Sequence, residues 1–185
     1  MTRISRRLAA LSESATMAIS TRAAELRREG QDVISFSAGE PDFPSPPHVV
    51  EAAEEAVRDP ANHHYTAAAG LGELREAIAA DVKAFSGVDV SPAQTVVTNG
   101  GKQAVFAALA ALLDPGDEAL LPSPYWVTYP EAVSLTGATP VQVPTTIDDG
   151  FKVTPEMLER HRTEATKLLV FVSPSNPTGA VYTPE

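Results

Sequence analysis

The chain has 185 residues and a formal net charge of −10 at pH 7. This length allows one domain with a hydrophobic core, and no apolar run is long enough to cross a bilayer. Without a basic cluster, the acidic balance argues against nucleic acid or a membrane surface as the main partner. The sequence contains no cysteine, which excludes disulfides and a cysteine nucleophile, and its histidines lack metal-ligand spacing. No secretory signal follows the basic start, so we expect a cytoplasmic protein.

The first half of the chain is predicted to be mostly helical. Helical spacing of apolar residues covers 15–29, and Gly30 is its stop signal. A short alternating strand is predicted at 33–37, followed by a turn-rich loop. Two further amphipathic helices are indicated by the apolar positions within 49–57 and 71–85.

From residue 95 onwards, short apolar strands alternate with helices. The predicted strands are 95–98, 119–121, 140–143 and 168–172, and the predicted helices are 102–113, 126–135 and one beginning at Thr154-Pro155. The helix at 102–113 is apolar nearly all round, so we expect it to be buried. Strands that alternate with helices predict an α/β domain with a mainly parallel sheet.

Three predicted strands end in unusual sequences, which are Asn99–Lys102, Ser123–Trp126 and Ser173–Gly179. In open α/β sheets, ligands bind outside the carboxyl ends of the strands. If the sheet is parallel, these three segments converge on one edge.

Each candidate residue also has an ordinary structural explanation. Gly100-Gly101 opens a helix and is either a phosphate cradle or a plain turn. Trp126 is either a stacking platform or core packing, and Asn176 either binds a ligand oxygen or caps a turn. Gly39 could be only a turn glycine, and Tyr65 only a half-buried tyrosine.

Taken in order and spacing, several motifs resemble one family. They are AGEPDF (38–43), HYTAAAGLGELR (64–75), TNGGKQA (98–104), LDPGDE (113–118), SPYWVTYP (123–130) and SPSNPTGAVY (173–182). Together they are similar to the class I pyridoxal-phosphate-dependent aminotransferases, in particular the bacterial aspartate aminotransferase subgroup. The resemblance spans essentially the whole chain.

The resemblance implies an incomplete large domain of fold type I, with a mainly parallel sheet and helices on both faces. Residues 1–45 would form an N-terminal arm and small-domain segment, and residues 46–185 the N-terminal part of the large cofactor-binding domain. The implied reaction moves an amino group from aspartate or a similar amino acid to 2-oxoglutarate. Pyridoxal 5'-phosphate is the implied cofactor and a homodimer the implied assembly.

The same resemblance assigns residues to the cofactor. Gly100, Gly101 and Lys102 would hold its phosphate, Trp126 would stack on its ring, and Asn176 would donate a hydrogen bond to its phenolate oxygen. The bonds Ser123–Pro124 and Asn176–Pro177 are expected to be cis, as they often are in this fold.

Other assignments concern the substrate and the partner subunit. Tyr65 would reach the phosphate bound by the neighbouring subunit, and the backbone of Gly39 would meet the substrate's α-carboxylate. Further substrate contacts are expected from Lys102, Thr16, Trp126 and Asn176. Ser12 replaces a lysine found in relatives that accept prephenate, which argues against prephenate as a substrate.

None of the four lysines, Lys83, Lys102, Lys152 and Lys167, lies in a motif that matches the Schiff-base lysine of the family. We therefore expect that lysine beyond Glu185, so that this chain is the N-terminal part of a longer enzyme and inactive alone. The strand at 95–98 would then lack its neighbours, leaving apolar surface exposed. The alternatives are another pyridoxal-phosphate enzyme of this fold, such as a carbon–sulfur lyase or a cyclopropane-forming synthase, and a truncated, non-catalytic product.

Overall fold

The structure is a computed structural model that describes residues 4–9, 15–37, 39 and 41–184. The side chains of residues 6 and 15–17 lie outside the described part. Its α-helices are α1 (Arg6–Ala9), α2 (Ala15–Arg28), α3 (Pro47–Arg58), α4 (Gly72–Ser86), α5 (Gly100–Leu112), α6 (Thr128–Thr136) and α7 (Pro155–His161). Its strands are β1 (Glu118–Ser123), β2 (Thr139–Pro144) and β3 (Thr166–Leu169). None of these helices combines the length and apolar character needed to span a bilayer.

The chain forms two compact units. One unit contains residues 1–15 and 100–185, and the other contains residues 16–99. The predicted division into residues 1–45 and 46–185 stays a prediction.

The unit that contains residues 100–185 is built on a parallel sheet in the order β2-β1-β3. Leu120 in the central strand pairs with Val141 on one side and with Leu169 on the other. Parallel strands covered on both faces are continuously apolar, and Ala119, Leu120 and Leu121 are all buried. The prediction of a parallel α/β sheet is confirmed.

Successive side chains of β1 point to opposite faces of the sheet and enter different cores. Ala119 belongs to a cluster from α5, α6 and their ends, which contains Leu109, Leu113, Ala132, Val133 and Ala138. Leu120 belongs to the other cluster, with Val143 and Val153, against which Met157, Leu158 and Tyr182 pack. Helices therefore cover both faces of the sheet, as expected.

The expectation that the predicted helix at 102–113 is buried is wrong for most of its surface. Within α5 only Leu109 is buried, while Phe106 is 41% exposed and Leu112 is 52% exposed. An all-round apolar helix needs cover on every side, and the described residues cover one side of α5.

The strands predicted at 33–37 and 95–98 are also wrong, because both segments lack strand pairing. A strand needs backbone partners from a neighbour, and the sheet of the described residues contains only β1, β2 and β3. The side chain of Phe36 is 94% exposed and that of Val96 is 64% exposed. As expected, residues 95–98 have no neighbouring strand among the described residues.

The last predicted strand is shifted rather than absent. The sequence predicts it at 168–172, whereas β3 covers Thr166–Leu169. The Val170 N–H still donates to the Leu120 carbonyl oxygen at 3.0 Å. Residues 171–172 therefore lie between the end of β3 and the turn that follows.

The unit of residues 16–99 contains α3, α4 and most of α2, which confirms the three helices predicted there. Its buried apolar residues are small, namely Ala23 and Ala79. Gly70 has a φ of 100°, and a Cβ there would lie 2.5 Å from Val97 Cγ2, so only glycine fits. The Arg75 guanidinium donates to the Thr95 carbonyl oxygen at 2.9 Å. This bond links α4 to the segment that also contains Val97.

Candidate functional site

The turn after β3 is closed by its own backbone. The Ser175 N–H donates to the Ala180 carbonyl oxygen at 2.9 Å, and the Gly179 N–H donates to the Ser175 carbonyl oxygen at 2.8 Å. The Asn176–Pro177 bond is cis, as predicted, and so is Ser173–Pro174, which the sequence motifs do not single out. The turn presents Asn176 as an exposed side chain, so its amide is accessible to a ligand.

The segment after β1 is held by the neighbouring strand. The Ser123 hydroxyl accepts a hydrogen bond from the Gln142 side chain at 2.9 Å, and the Ser123 carbonyl oxygen accepts one from the Thr145 N–H at 3.1 Å. The Ser123–Pro124 bond is cis, as predicted. These contacts fix the start of the segment that leads to Trp126.

Trp126 is half-buried and lies just before α6. The Tyr129 ring meets it edge-on, with 5.5 Å between ring centroids and an angle of 89° between the rings. This T-shaped contact is favourable and orients the indole. The indole is therefore packed against Tyr129 yet retains exposed surface, and its role as a stacking platform stays a prediction.

The two glycines at the start of α5 leave room at the helix end. Gly100 has a φ of 79°, and no heavy atom of a neighbouring element lies within 4 Å of a Cβ built at Gly100 or Gly101. The first turn of a helix carries backbone N–H groups that have no acceptor inside the helix, and its dipole favours anions. An anion the size of a phosphate can therefore approach this backbone.

Lys102, in the first turn of α5, lies close to the Trp126 ring. Its ammonium nitrogen lies 5.6 Å from the centroid of the Trp126 ring, a cation–π distance. The side chain itself is exposed. Residues from the predicted segments after 98 and after β1 thus lie next to one another.

The carboxyl ends of β1 and β3 share one edge of the sheet. A cavity of about 20 Å³, enough for a single water molecule, separates the two segments that follow these strands. Asn176, Tyr125 and Tyr129 contribute to its wall. The predicted convergence is therefore found for these two strands, whereas residues 95–98 form no strand.

The remaining predicted residues belong to the unit of residues 16–99. Tyr65 is fully exposed, and Gly39 is exposed with open space at its Cα. Thr16 lies in α2, but its side chain is outside the described residues, as is the whole of Ser12. The roles assigned to these residues stay predictions.

Sequence reasoning missed Tyr182, which ends the SPSNPTGAVY motif. Its hydroxyl oxygen accepts a hydrogen bond from the Val153 N–H at 2.7 Å, and its ring lies 4.6 Å from the Phe171 ring. It also contributes to the wall of the cavity beside Asn176. Only the position of the tyrosine at the end of a ligand-associated motif could have pointed to it.

The described residues fit the chemistry of pyridoxal phosphate. A helix start with two glycines and an ammonium group suits the phosphate, an indole face suits a planar ring, and an exposed amide suits an oxygen anion. All of these groups lie in the unit that contains residues 100–185.

Comparisons with known proteins agree with this chemistry. The sequence model of the family described as "Aminotransferase class I and II" matches residues 31–185. The chain is 55% identical to an aspartate aminotransferase of Streptomyces avermitilis, over 99% of this chain and 45% of that protein. It is 53% identical to a probable aspartate aminotransferase of Streptomyces griseus, over 97% of this chain and 84% of that protein.

Solved structures give the same result. The aspartate aminotransferase of Thermus thermophilus with maleate superposes with a TM-score of 0.91 at 48% identity, over 100% of this chain and 48% of that one. An alanine aminotransferase of Pyrococcus furiosus superposes with a TM-score of 0.90 at 34% identity, over 98% of this chain and 47% of that one. The chain thus spans about half the length of most of these relatives.

Proposed function

Because the chain belongs to the class I and II aminotransferase family, we propose that it forms part of the cofactor site of a pyridoxal-phosphate-dependent aminotransferase. The proposed reaction moves an amino group from aspartate or a similar amino acid to 2-oxoglutarate. The observation that carries the proposal is the Lys102 ammonium, 5.6 Å from the Trp126 ring, at a helix that begins with two glycines. The residues proposed to contact the phosphate and the ring are therefore adjacent.

The bound cofactor supplies a ring that delocalises the charge left when the substrate α-proton is removed. The residues of this chain bind and orient it. Gly101 and Lys102 would offer backbone N–H groups and a positive charge to the phosphate, and the Trp126 face would stack on the ring. The Asn176 amide N–H would donate to the phenolate oxygen and stabilise its ionised form.

Substrate contacts extend the proposal to less central residues. Lys102 and Thr16 would recognise the distal carboxylate of the substrate, and the backbone of Gly39 would meet its α-carboxylate. Tyr65 would bind the phosphate in the neighbouring subunit of a homodimer, for which its complete exposure in a single chain leaves it available. A cytoplasmic location is part of the same proposal.

The lysine that holds the cofactor covalently and transfers the proton would come from sequence outside these 185 residues. Aspartate is favoured as amino donor because the similar proteins include aspartate aminotransferases at 55% and 48% identity. An enzyme of this kind needs both halves of its site, so the isolated chain should show no transamination.

The test uses a full-length protein that carries this chain. It is incubated with pyridoxal phosphate and assayed with aspartate and 2-oxoglutarate, and in parallel with cystathionine as a lyase substrate. We expect transamination to dominate and to require the added cofactor. Cleavage of cystathionine without transamination would instead favour a carbon–sulfur lyase, and a stable cofactor absorbance band on the isolated chain after gel filtration would contradict the proposed division of the site.

A further inference from the structure

Tyr182 joins the turn that carries Asn176 to a different part of the chain. Its hydroxyl oxygen accepts from the Val153 N–H at 2.7 Å, across 29 positions of sequence. Its own N–H donates to the Ser173 hydroxyl oxygen at 3.1 Å. One residue therefore holds the first residue of the turn with its backbone and the segment before α7 with its side chain.

The Val153 end of this connection is firmly placed. Val153 is 8% exposed and belongs to the core cluster with Leu120 and Val143, on the central and edge strands. A well-packed core residue moves little. The Tyr182 hydroxyl is thus bonded to a backbone group whose position is set by the sheet.

The residues between Ser173 and Tyr182 are strongly coupled. Two backbone hydrogen bonds join Ser175 to Gly179 and Ala180, at 2.8 and 2.9 Å. Because the turn is closed in this way, it can tilt as one piece while keeping its internal bonds. The orientation of the turn at the sheet edge then depends on the hydrogen bonds that join it to the rest of the chain, including those of Tyr182.

Asn176 lies on the turn, and its side chain and that of Tyr182 line the same small cavity. The Phe171 ring, whose centroid lies 4.6 Å from that of the Tyr182 ring, lines the same cavity. A tilt of the turn would therefore displace the Asn176 amide relative to the strand ends. An amide that must meet one ligand oxygen tolerates only a small displacement.

We propose that Tyr182 is a positioning residue that holds the turn, and with it the Asn176 amide, in the orientation that the cofactor's phenolate oxygen requires. This inference rests on the proposed function. Tyr182 itself touches neither cofactor nor substrate in this assignment. Its hydroxyl acts through the turn.

The test compares Tyr182→Phe with Thr154→Ala in a full-length protein that carries this chain. Tyr182→Phe keeps the ring but leaves the Val153 N–H without its acceptor. Thr154→Ala also leaves one backbone N–H without its acceptor, that of Met157, which donates to the Thr154 hydroxyl at 3.3 Å. The control therefore also removes the acceptor of a backbone N–H, one residue away from Val153 and outside the turn.

Two readouts separate positioning from stability. Hydrogen exchange of the peptide that covers 173–182 reports on the turn without any cofactor, and the pH midpoint of the bound cofactor's absorbance change reports on the Asn176 bond. We expect Tyr182→Phe to accelerate exchange in that peptide. We also expect it to raise the midpoint by roughly 0.3 to 1 pH unit, in the direction of Asn176→Ala, because a weaker bond to the phenolate disfavours its ionised form. Thr154→Ala should change neither.

Unchanged exchange in 173–182, or a midpoint equal to that of Thr154→Ala, would overturn the positioning role. If the unsubstituted protein shows no cofactor band at all, the proposed function fails, and the role of Tyr182 toward the cofactor fails with it. A band that is present but insensitive to Tyr182→Phe removes only the positioning role. The outcomes of the two proposals are thus distinguishable.

Discussion

Alanine substitutions at Gly100 and Gly101 should separate backbone strain from phosphate binding. Gly100 has a φ of 79°, whereas no positive φ occurs at Gly101, and neither position has a heavy atom of a neighbouring element within 4 Å of a built Cβ. Both side chains would project into the open space at the start of α5. The two variants therefore place the same methyl group at one helix end, on backbones of different conformation.

The expected stabilities have opposite signs. Alanine in a left-handed conformation costs about 1–2 kcal/mol at Gly100, whereas at Gly101 alanine replaces glycine in an ordinary helical conformation and gains up to about 1 kcal/mol. For a domain of this size, 1 kcal/mol corresponds to roughly 2–4 °C in Tm. Gly100→Ala should therefore lower Tm and Gly101→Ala should leave it unchanged or raise it slightly.

Cofactor affinity should fall in both variants. A hydrogen bond to a charged group contributes about 1.5–3 kcal/mol, so loss of one phosphate contact raises Kd by roughly 10- to 100-fold. Thermal unfolding of the cofactor-free, full-length protein gives the stability, and quenching of tryptophan fluorescence by pyridoxal phosphate gives Kd. Gly101→Ala is decisive, since it combines intact stability with weak binding. Unchanged affinity in this variant would refute the phosphate cradle at α5.

Three further predictions concern the fold. Thr154→Ala removes the N-cap of α7 and should cost about 1 kcal/mol in urea unfolding. Leu120→Ala, at a position 4% exposed, should cost about 2–5 kcal/mol, whereas Leu112→Ala, at a position 52% exposed, should stay within about 0.5 kcal/mol. The Asp114 N–H, which donates to the Asp117 carboxylate at 2.8 Å, holds the pKa of that carboxyl below its ordinary value of 3.8, and a hydrogen bond from Lys167 adds to this against the opposing effect of burial. Because the pKa is depressed in the folded state, the stabilisation is complete above the ordinary value and is lost as pH falls through the folded-state pKa. Asp117→Asn should thus flatten the acid limb of a stability–pH curve below about pH 4, and an unaltered limb would contradict this.

Local patterns predicted those elements whose partners are present among the described residues. The apolar run Ala119–Leu121 indicated a buried parallel strand, and its neighbours β2 and β3 are both within the chain. Thr154-Pro155 predicted the start of α7, where the Thr154 hydroxyl accepts from the Met157 N–H. Each of these signals describes a contact that a few consecutive residues decide.

The same reasoning failed where the partner cannot be recognised from the segment itself. Residues 33–37 and 95–98 have strand-like sequences, but pairing is a property of the neighbour and cannot be read from the segment. The hydrogen bond between Val153 and Tyr182 joins residues 29 positions apart, and no periodic pattern in the sequence indicates it. The resemblance to a known family supplied the proposed roles of Trp126 and Asn176, which composition and spacing alone left undecided.

The position of the candidate site relative to the core has a further consequence. Lys102 lies in the first turn of α5 and Trp126 just before α6, so their separation depends on how these two helices pack. Both helices meet through the buried cluster that includes Leu109 and Val133, with Val133 completely buried. Close-packed side chains transmit a change of volume to their neighbours because little free space absorbs it. The distance between the Lys102 ammonium group and the Trp126 indole is therefore set by the packing of α5 against α6, so the arrangement proposed for phosphate and ring depends on the core as well as on the local motifs.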